Sequence, residues 1–178
     1  MSREAPGRLG RFLQRVDSDP RLVKLLRLGR RLSALTAEQP GALREVGSVI
    51  EPEICSRGGE IVKCLGDGLM AVFEDSGRAI EAAHASAQAL EGVQVDGHCP
   101  RLRAGVHAGR PRRIGGDYFG VDVNIAARVA EAAGPGEVLV SEAVHERVEA
   151  DKVQLKRRWR FSAKGAPKGL KVYAAEPS

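Results

Sequence analysis

The sequence predicts an α+β fold, with helices packed on one face of a mostly antiparallel sheet. Helical stretches alternate along the chain with pairs of short apolar runs, and the hydrophobic period changes from a helical repeat to a two-residue repeat after Gly59. The chain has 178 residues, of which 43% are hydrophobic and 29% are charged. These values are typical of one folded domain with a packed core, and they exclude wholesale disorder.

The first forty residues are rich in Arg and Leu. Within them, the stretch LVKLLRLGRRLSAL at 22–35 is compatible with a helix and with a strand, because short Leu-rich runs satisfy both periods. Residues 41–57 predict a helix that ends at Gly58 and Gly59, since glycine suits the left-handed cap. The apolar face of this helix consists of Leu43, Val46, Val49 and Ile50.

Two short apolar runs, GEIVKCL and LMAVF, flank the turn sequence Gly66-Asp67-Gly68 and predict a β-hairpin with Asp67 at its tip. A carboxylate at a glycine-flanked tip is exposed and can bind a hard cation such as Mg²⁺ together with water and phosphate oxygens. Asp is also a common turn-forming residue. From the residues alone, both roles of Asp67 remain open.

The rest of the chain continues the alternation of helices and strands. The predicted elements are a helix over 76–91, a strand within 101–109, a tight loop at Gly115, Gly116 and Gly120, a helix from Val121 to Ala133, a strand in EVLVS, a short helix in EAVHERV, and two strands within 153–175 around the turn Lys164-Gly165-Ala166-Pro167. On the helix from Val121, Asn124 and Arg128 lie one turn apart and share a face. An amide beside a guanidinium suits a phosphate whose charge grows during a reaction, although a solvated helix face has the same pattern.

Composition limits the classes of partner. The formal net charge is +5 and the isoelectric point is about 9.4, which favours an anionic partner such as a nucleotide, a nucleic acid or a membrane surface. Aromatic residues make up 4% of the chain, which argues against a stacking platform for nucleic acid. Three cysteines without metal-type spacing predict reduced thiols in a cytoplasmic protein. No apolar run approaches the roughly 18 residues of a membrane span, and the charged N-terminus lacks the apolar segment of a signal peptide.

Two segments carry a family resemblance, namely GEIVKCLGDGLMAVF at 59–73 and GDYFGVDVNIAARV at 116–129. Together with the ending AKGAPKGLKVYAAE, they closely resemble the catalytic domain of class III nucleotidyl cyclases, over about residues 41–175. The resemblance implies a ferredoxin-like sheet and a head-to-tail dimer with its sites at the interface. It also implies attack of a ribose 3′-hydroxyl on the α-phosphorus of a nucleoside triphosphate, assisted by two metal ions, Mg²⁺ or Mn²⁺.

The resemblance also implies roles for individual residues. Lys63 and Asp117 are similar to the base-reading pair of the adenine-selecting members, so the expected substrate is ATP. Lysine can donate to N1 of adenine and aspartate can accept from its N6 amine, whereas guanine inverts both groups. The remaining site residues implied by the motif are Asp67 as the second metal ligand, Asn124 to orient the ribose, Arg128 to stabilise the α-phosphate and Lys164 to reach the terminal phosphates.

The pattern departs from the family at the first metal-binding aspartate, which normally lies in a strand that ends in Asp-Ile and a following glycine. If Gly29 takes the place of that glycine, the place of the aspartate falls on Leu26, which cannot bind Mg²⁺. Asp17 and Asp19 are nearby alternatives outside any apolar strand. We therefore divide the chain into a divergent segment, 1–40, whose residues 22–28 are expected to fill the first strand, and a cyclase homology domain, 41–178.

Three hypotheses about function follow. The first is an adenylyl cyclase that acts alone or as a homodimer. The second is a catalytically impaired or regulatory half that binds nucleotide and completes a site in a heterodimer with a metal-competent cyclase domain. The third is a basic nucleic-acid-binding module, which the absence of aromatic residues from GEIVKCL and RLRAGVHAG disfavours. The low aromatic content of the chain and the lack of aromatic residues in these two segments lead us to expect no nucleic-acid partner.

Overall fold

The computed structural model describes residues 22–28, 40–65, 68–95, 97, 99–149, 152–159, 161 and 163–177. Within these ranges it has four helices and nine strands. The helices are α1 (Pro40–Cys55), α2 (Ser76–Ala89), α3 (Val121–Ala132) and α4 (Glu142–His145). The strands are β1 (Leu22–Leu28), β2 (Glu60–Leu65), β3 (Gly68–Phe73), β4 (Leu102–Val106), β5 (Arg112–Ile114), β6 (Asp117–Phe119), β7 (Val138–Ser141), β8 (Leu155–Arg157) and β9 (Val172–Ala175).

Seven of the strands form one sheet in the order β2-β3-β1-β4-β7-β9-β8. All neighbouring pairs are antiparallel except β4 and β7, which are parallel. This is an α+β architecture with an antiparallel-rich sheet, as the sequence predicts. The element bounds agree with the predicted ones to within a few residues, which reflects the clear change of hydrophobic period along the chain.

Helices cover both faces of this sheet, so the expectation that they pack on one face was wrong. On one face, α1 and α2 pack against Leu69, Ala71 and Phe73 of β3 and their neighbours. On the other face, α3 packs against the intervening residues Met70 and Val72. The run LMAVF is apolar at every position and entirely buried, which is the pattern of a strand covered on both sides.

Strand β1 occupies the centre of the sheet, between β3 and β4. The ambiguous run at 22–28 is therefore a strand, because a central position must be filled by backbone that pairs on both edges. Its register places Leu26 opposite Leu69 of β3 and opposite Ala104 of β4. Residues 1–21 and 29–39 lie outside the described residues, so the proposed division of the chain near residue 40 stays a prediction.

The loop predicted at Gly115 and Gly116 is instead the turn of a small separate hairpin formed by β5 and β6. Both glycines have positive φ, 59° and 89°, as a two-residue hairpin turn requires. The turn signal was present in the sequence, but strands of three residues are too short to show a hydrophobic period. This hairpin matters because its second strand carries Asp117.

Candidate active site

Lys63 and Asp117 lie 54 positions apart in the sequence but form an ion pair, with 2.6 Å between Lys63 Nζ and Asp117 Oδ2. Their side chains are about one-third exposed, at 33% and 30%, so a ligand can reach both. The second carboxylate oxygen of Asp117 accepts a hydrogen bond from the backbone N–H of Tyr118 at 2.7 Å. The pair therefore presents an ammonium donor and a carboxylate acceptor side by side.

Local folding brings these two residues together on the α3 face of the sheet. Lys63 pairs across the ladder with Met70, which packs with the buried Tyr118 beneath α3. The β2–β3 register shifts between Ile61 and Lys63, and a bulge of this kind redirects side chains beside functional sites. Phe119 was not recognised from the sequence. Its ring centre lies 5.7 Å from Lys63 Nζ, and the residue is 47% exposed.

The second group of site residues lies on α3 and the loop beside it. Asn124 is exposed in the first turns of the helix, and Arg128 follows one turn later. Arg128 is paired with Glu131, with 2.5 Å between guanidinium and carboxylate. A Cβ placed on Gly165 would lie 3.6 Å from Nε of Arg128, so the loop that carries Lys164 borders the guanidinium. Lys164 itself is exposed.

The N-terminus of α3 is anchored by a buried histidine to which the sequence analysis assigned no role. His107, just after β4, makes a hydrogen bond with Ser141 Oγ through Nδ1 at 2.8 Å and with Asp122 Oδ1 through Nε2 at 3.1 Å. The other oxygen of Asp122 accepts the backbone N–H of Arg110 at 2.9 Å. Burial lowers the pKa of His107 below its ordinary value of 6.5, while the bond to Asp122 works in the opposite direction. His107 is a structural anchor for the helix that presents Asn124 and Arg128.

Close packing also fixes α3 over the sheet. A Cβ at Gly105 of β4 would lie 2.2 Å from the backbone nitrogen of Ala130, so only glycine allows this approach. The hydrogen bond from Arg103 to the carbonyl of Ala133 at 2.9 Å holds the other end of the helix. Asn124 and Arg128 are therefore held on a helix that is fixed at both ends.

The carboxylates expected to bind metal are not assembled by the described residues. Asp67 lies outside them, and so do Asp17 and Asp19. Strand β1 has the sequence LVKLLRL and contains no carboxylate, and its register puts Leu26 next to the β2–β3 hairpin. No group of three or more His, Cys, Asp or Glu side chains lies together in the described part of the chain. The residues of β1 do not fit a pair of metal-binding carboxylates.

The charged side chains of the site are partly exposed, since Lys63, Asp117 and Arg128 are each about one-third exposed. A larger cleft of about 820 Å³ lies elsewhere, between α2 and the C-terminal residues, and none of the candidate site residues lines it. Small-molecule sites usually bury most of the surface of their ligand, which a second surface laid over these exposed groups would do. The ion pairs Lys63–Asp117 and Arg128–Glu131 both lie outside this cleft.

Comparisons with known proteins agree with this arrangement. The family model for the adenylate and guanylate cyclase catalytic domain matches residues 36–176. The chain therefore belongs to the class III nucleotidyl cyclase family, as the sequence resemblance predicts. The fold is that of the cyclase catalytic domain.

Individual relatives give the same assignment. A pH-sensitive adenylate cyclase of Mycobacterium tuberculosis is 36% identical over 114 residues, which are 62% of this chain and 27% of that protein. An adenylate cyclase of Streptomyces coelicolor is 34% identical over 128 residues, which are 71% of this chain and 32% of that protein. The crystal structure of an adenylate/guanylate cyclase/hydrolase from Silicibacter pomeroyi superposes with a TM-score of 0.72 and 27% identity, covering 88% of this chain and 97% of the other. The chain thus spans about a third or less of the length of these two curated relatives.

Proposed function

We propose that this domain supplies the base-reading and phosphate-stabilising half of an adenylyl cyclase site and forms cyclic AMP and pyrophosphate from ATP together with a partner domain that provides the metal-binding carboxylates. The observation that carries the proposal is the assembled Lys63–Asp117 pair, together with a strand β1 that contains no carboxylate. If Gly29 takes the place of the family's glycine, Leu26 takes the place of the first metal aspartate. Relatives named adenylate cyclase support the reaction class.

Adenine selection follows from the chemistry of the ion pair. Lys63 has three N–H donors, of which one is directed at Asp117, so another is free for N1 of the base. Asp117 retains acceptor capacity on Oδ2 for the N6 amine. Guanine would place its N1–H against the lysine donor and its O6 against the aspartate acceptor, and both contacts would be repulsive. The pair therefore favours ATP over GTP.

The phosphate end of the site is formed by α3 and the loop that carries Lys164. Arg128 pairs with Glu131, and an α-phosphate whose negative charge grows in the transition state can compete for the guanidinium. Asn124, one turn before it, faces the same side and orients the ribose. Lys164 adds a cation for the terminal phosphates, in a loop whose next residue borders Arg128.

The partner supplies what this chain lacks. Divalent cations, Mg²⁺ or Mn²⁺, neutralise attacking and leaving oxygens in this class of reaction, and a leucine strand cannot hold them. A head-to-tail dimer would place the carboxylates of another cyclase domain opposite the open surface that carries Lys63 and Arg128.

The domain has free thiols at Cys55, Cys64 and Cys99, which supports a reducing, cytoplasmic setting where ATP is available. No helix in the described ranges is long and apolar enough to cross a bilayer.

A complementation assay tests the proposal. The probe is a cyclase domain that keeps both metal-binding aspartates but has lost its equivalents of Lys63, Asn124 and Arg128. Mixed with this chain, ATP and Mn²⁺, it should form cyclic AMP, while each protein alone is inactive. The matched control is this chain with Arg128→Ala, which should not complement. An inactive mixture in which a mixed dimer forms would overturn the proposal.

A second candidate function is a self-sufficient homodimeric adenylyl cyclase. It is favoured by the complete set of residues on the base and phosphate side, namely Lys63, Asp117, Asn124 and Arg128. It requires a metal ligand from outside the described residues, for which the sequence analysis names Asp67, Asp17 and Asp19. Formation of cyclic AMP by the purified chain alone, with Mn²⁺, would identify this second function.

A further inference from the structure

The only tryptophan of the chain, Trp159, is 80% exposed at the edge of the molecule. It follows β8, which is the last strand of the seven-stranded sheet. The guanidinium of Arg157 lies 4.3 Å from the centre of its ring, so the indole is stacked on a cation rather than covered by apolar side chains. An indole held in water beside basic residues is typical of a surface that meets a bilayer interface.

The segment around Trp159 is strongly basic. Residues 152–171 contain eight Lys or Arg and no Asp or Glu. Four of the basic residues pair with carboxylates from other segments: Lys152 with Glu149, Lys156 with Glu176, Arg158 with Glu137, and Lys171 with Glu142. Within the described ranges, Arg157 and Lys168 have no carboxylate partner. The segment therefore keeps a local excess of positive charge that an anionic partner can neutralise.

A groove of about 370 Å³ lies between the end of β8 and the turn before β9. Its lining combines cationic side chains with an apolar wall, and the residues used here are Arg157, Trp159, Phe161, Lys168 and Leu170. We call these five residues the Trp159 surface. The combination of cations above an apolar wall matches a phosphodiester headgroup with the first carbons of its acyl chains below it.

We propose that the Trp159 surface docks the domain on an anionic phospholipid bilayer, with a headgroup phosphate between Arg157 and Lys168 and the indole at the interface. A single-stranded nucleic acid is less well matched, because sequence-tolerant binding of such strands uses successive exposed aromatic platforms, and of the two aromatic residues on this surface Trp159 alone is exposed. The interaction is peripheral and goes beyond the proposed cyclase function. It does not depend on nucleotide turnover, so its test is separate from that of the activity.

The experiment uses the full chain and the fluorescence of Trp159, which reports only on this surface because no other tryptophan is present. Vesicles of phosphatidylcholine alone are compared with vesicles that contain about 30 mol % phosphatidylserine, by flotation and by emission spectrum. The anionic vesicles should bind the protein and shift the emission to the blue, and high salt should release it. The neutral vesicles should do neither.

Variants decide whether the named residues make the contact. Arg157→Gln with Lys168→Gln should lower partitioning by about fivefold for each charge removed. The matched control, Arg44→Gln with Arg112→Gln, removes two exposed charges on α1 and β5 and should partition like the unaltered chain. Equal losses in both double variants, no binding to anionic vesicles, or tighter binding to a single-stranded RNA at the same salt would each overturn the proposal. A blue shift produced by inorganic phosphate without vesicles would also overturn it, by assigning the groove to a free anion.

Discussion

Lys63 and Asp117 discriminate between purines by the direction of two hydrogen bonds, so reversing both should reverse the selection. We expect Lys63→Glu with Asp117→Cys to weaken ATP binding by about tenfold to a hundredfold, which is the loss of one charge-assisted hydrogen bond. GTP binding should improve, because glutamate accepts from the guanine N1–H. Calorimetric titration with each nucleotide measures this without requiring turnover. Lys152→Glu on an exposed loop is the matched control, and unchanged selectivity in the double variant would remove the pair from the base site.

Arg128 is expected to act on the reacting phosphate and much less on ground-state binding. Arg128→Ala should therefore lower turnover by about a hundredfold, roughly the loss of one preorganised transition-state donor, while ATP affinity changes little. The measurement is the rate of cyclic AMP formation and the ATP affinity in the assembly that is active. Glu131→Ala is the control, because it removes the ground-state partner of the guanidinium and leaves the arginine in place. Equal losses of rate and affinity in Arg128→Ala would place the arginine on a solvated helix face.

Single residues also show what the sequence could and could not predict. The Lys63–Asp117 contact joins residues 54 positions apart, so no local pattern could reveal it, and the expectation came from the family resemblance. His107 was assigned no role, because its partners Asp122 and Ser141 follow 15 and 34 positions later. Phe119 was missed for the same reason, since its contact with Lys63 depends on the β5–β6 hairpin.

Elements were predicted well where the hydrophobic period is long or changes sharply. Helices α1, α2 and α3 and the hairpin of β2 and β3 agree with their predicted positions. The run at 22–28 is compatible with the helical and with the strand period, so its sequence alone could not distinguish them. It forms a strand because it pairs with β3 on one edge and with β4 on the other. The β5–β6 hairpin was read as a loop, because three residues carry no period. The helices were expected on one face of the sheet but cover both, because a uniformly buried strand such as β3 does not indicate which face each helix covers.

The half-buried His84 and the buried His107 couple the helix packing to pH. Burial lowers the pKa of His84 on α2 and of His107 beside α3 below their ordinary value of 6.5. Asp122 works against this for His107, and Arg147 works with it. Between the folded and unfolded pKa values the unfolded chain binds more protons, so the free energy of unfolding should rise with pH in that window.

The loss of stability should thus begin as the pH falls below about 6.5 and deepen toward the folded-state pKa values, with a slope of at most about 1.4 kcal/mol per pH unit for each histidine. Urea unfolding between pH 5.5 and 7.5, in about half-unit steps, measures it. His84→Gln with His107→Gln should flatten the slope. The exposed His145 provides the control variant, His145→Gln. A slope that survives in the double variant would assign the pH dependence to other groups.

At the scale of the whole molecule, the question is whether one chain can supply both halves of a site. Strand β1 pairs in the register that places Leu26 opposite Leu69, beside the hairpin that contains Asp67. In a head-to-tail homodimer, Leu26→Asp would add a carboxylate next to that hairpin in both protomers. Two carboxylates can hold the two cations that neutralise the attacking and leaving oxygens, which a single carboxylate cannot do. The variant should therefore convert a domain that needs a partner into one that forms cyclic AMP alone.

The substitution also has a cost, because a charge introduced on the central strand of the sheet must find a cation or water. Unfolding should accordingly begin at lower urea in Leu26→Asp than in the unaltered chain, and Mn²⁺ should restore part of the difference, since a ligand that binds only the folded state stabilises it. Leu26→Asn is the matched control, with similar size and polarity but no charge. Mn²⁺-dependent stabilisation and cyclic AMP formation in the aspartate variant alone would support the register and the half-site proposal together. If Mn²⁺ stabilises the aspartate variant but no cyclic AMP forms, the register of β1 is supported and the missing function lies in the dimer. A folded variant that shows neither Mn²⁺-dependent stabilisation nor cyclic AMP formation would contradict the placement of Leu26 at the metal position.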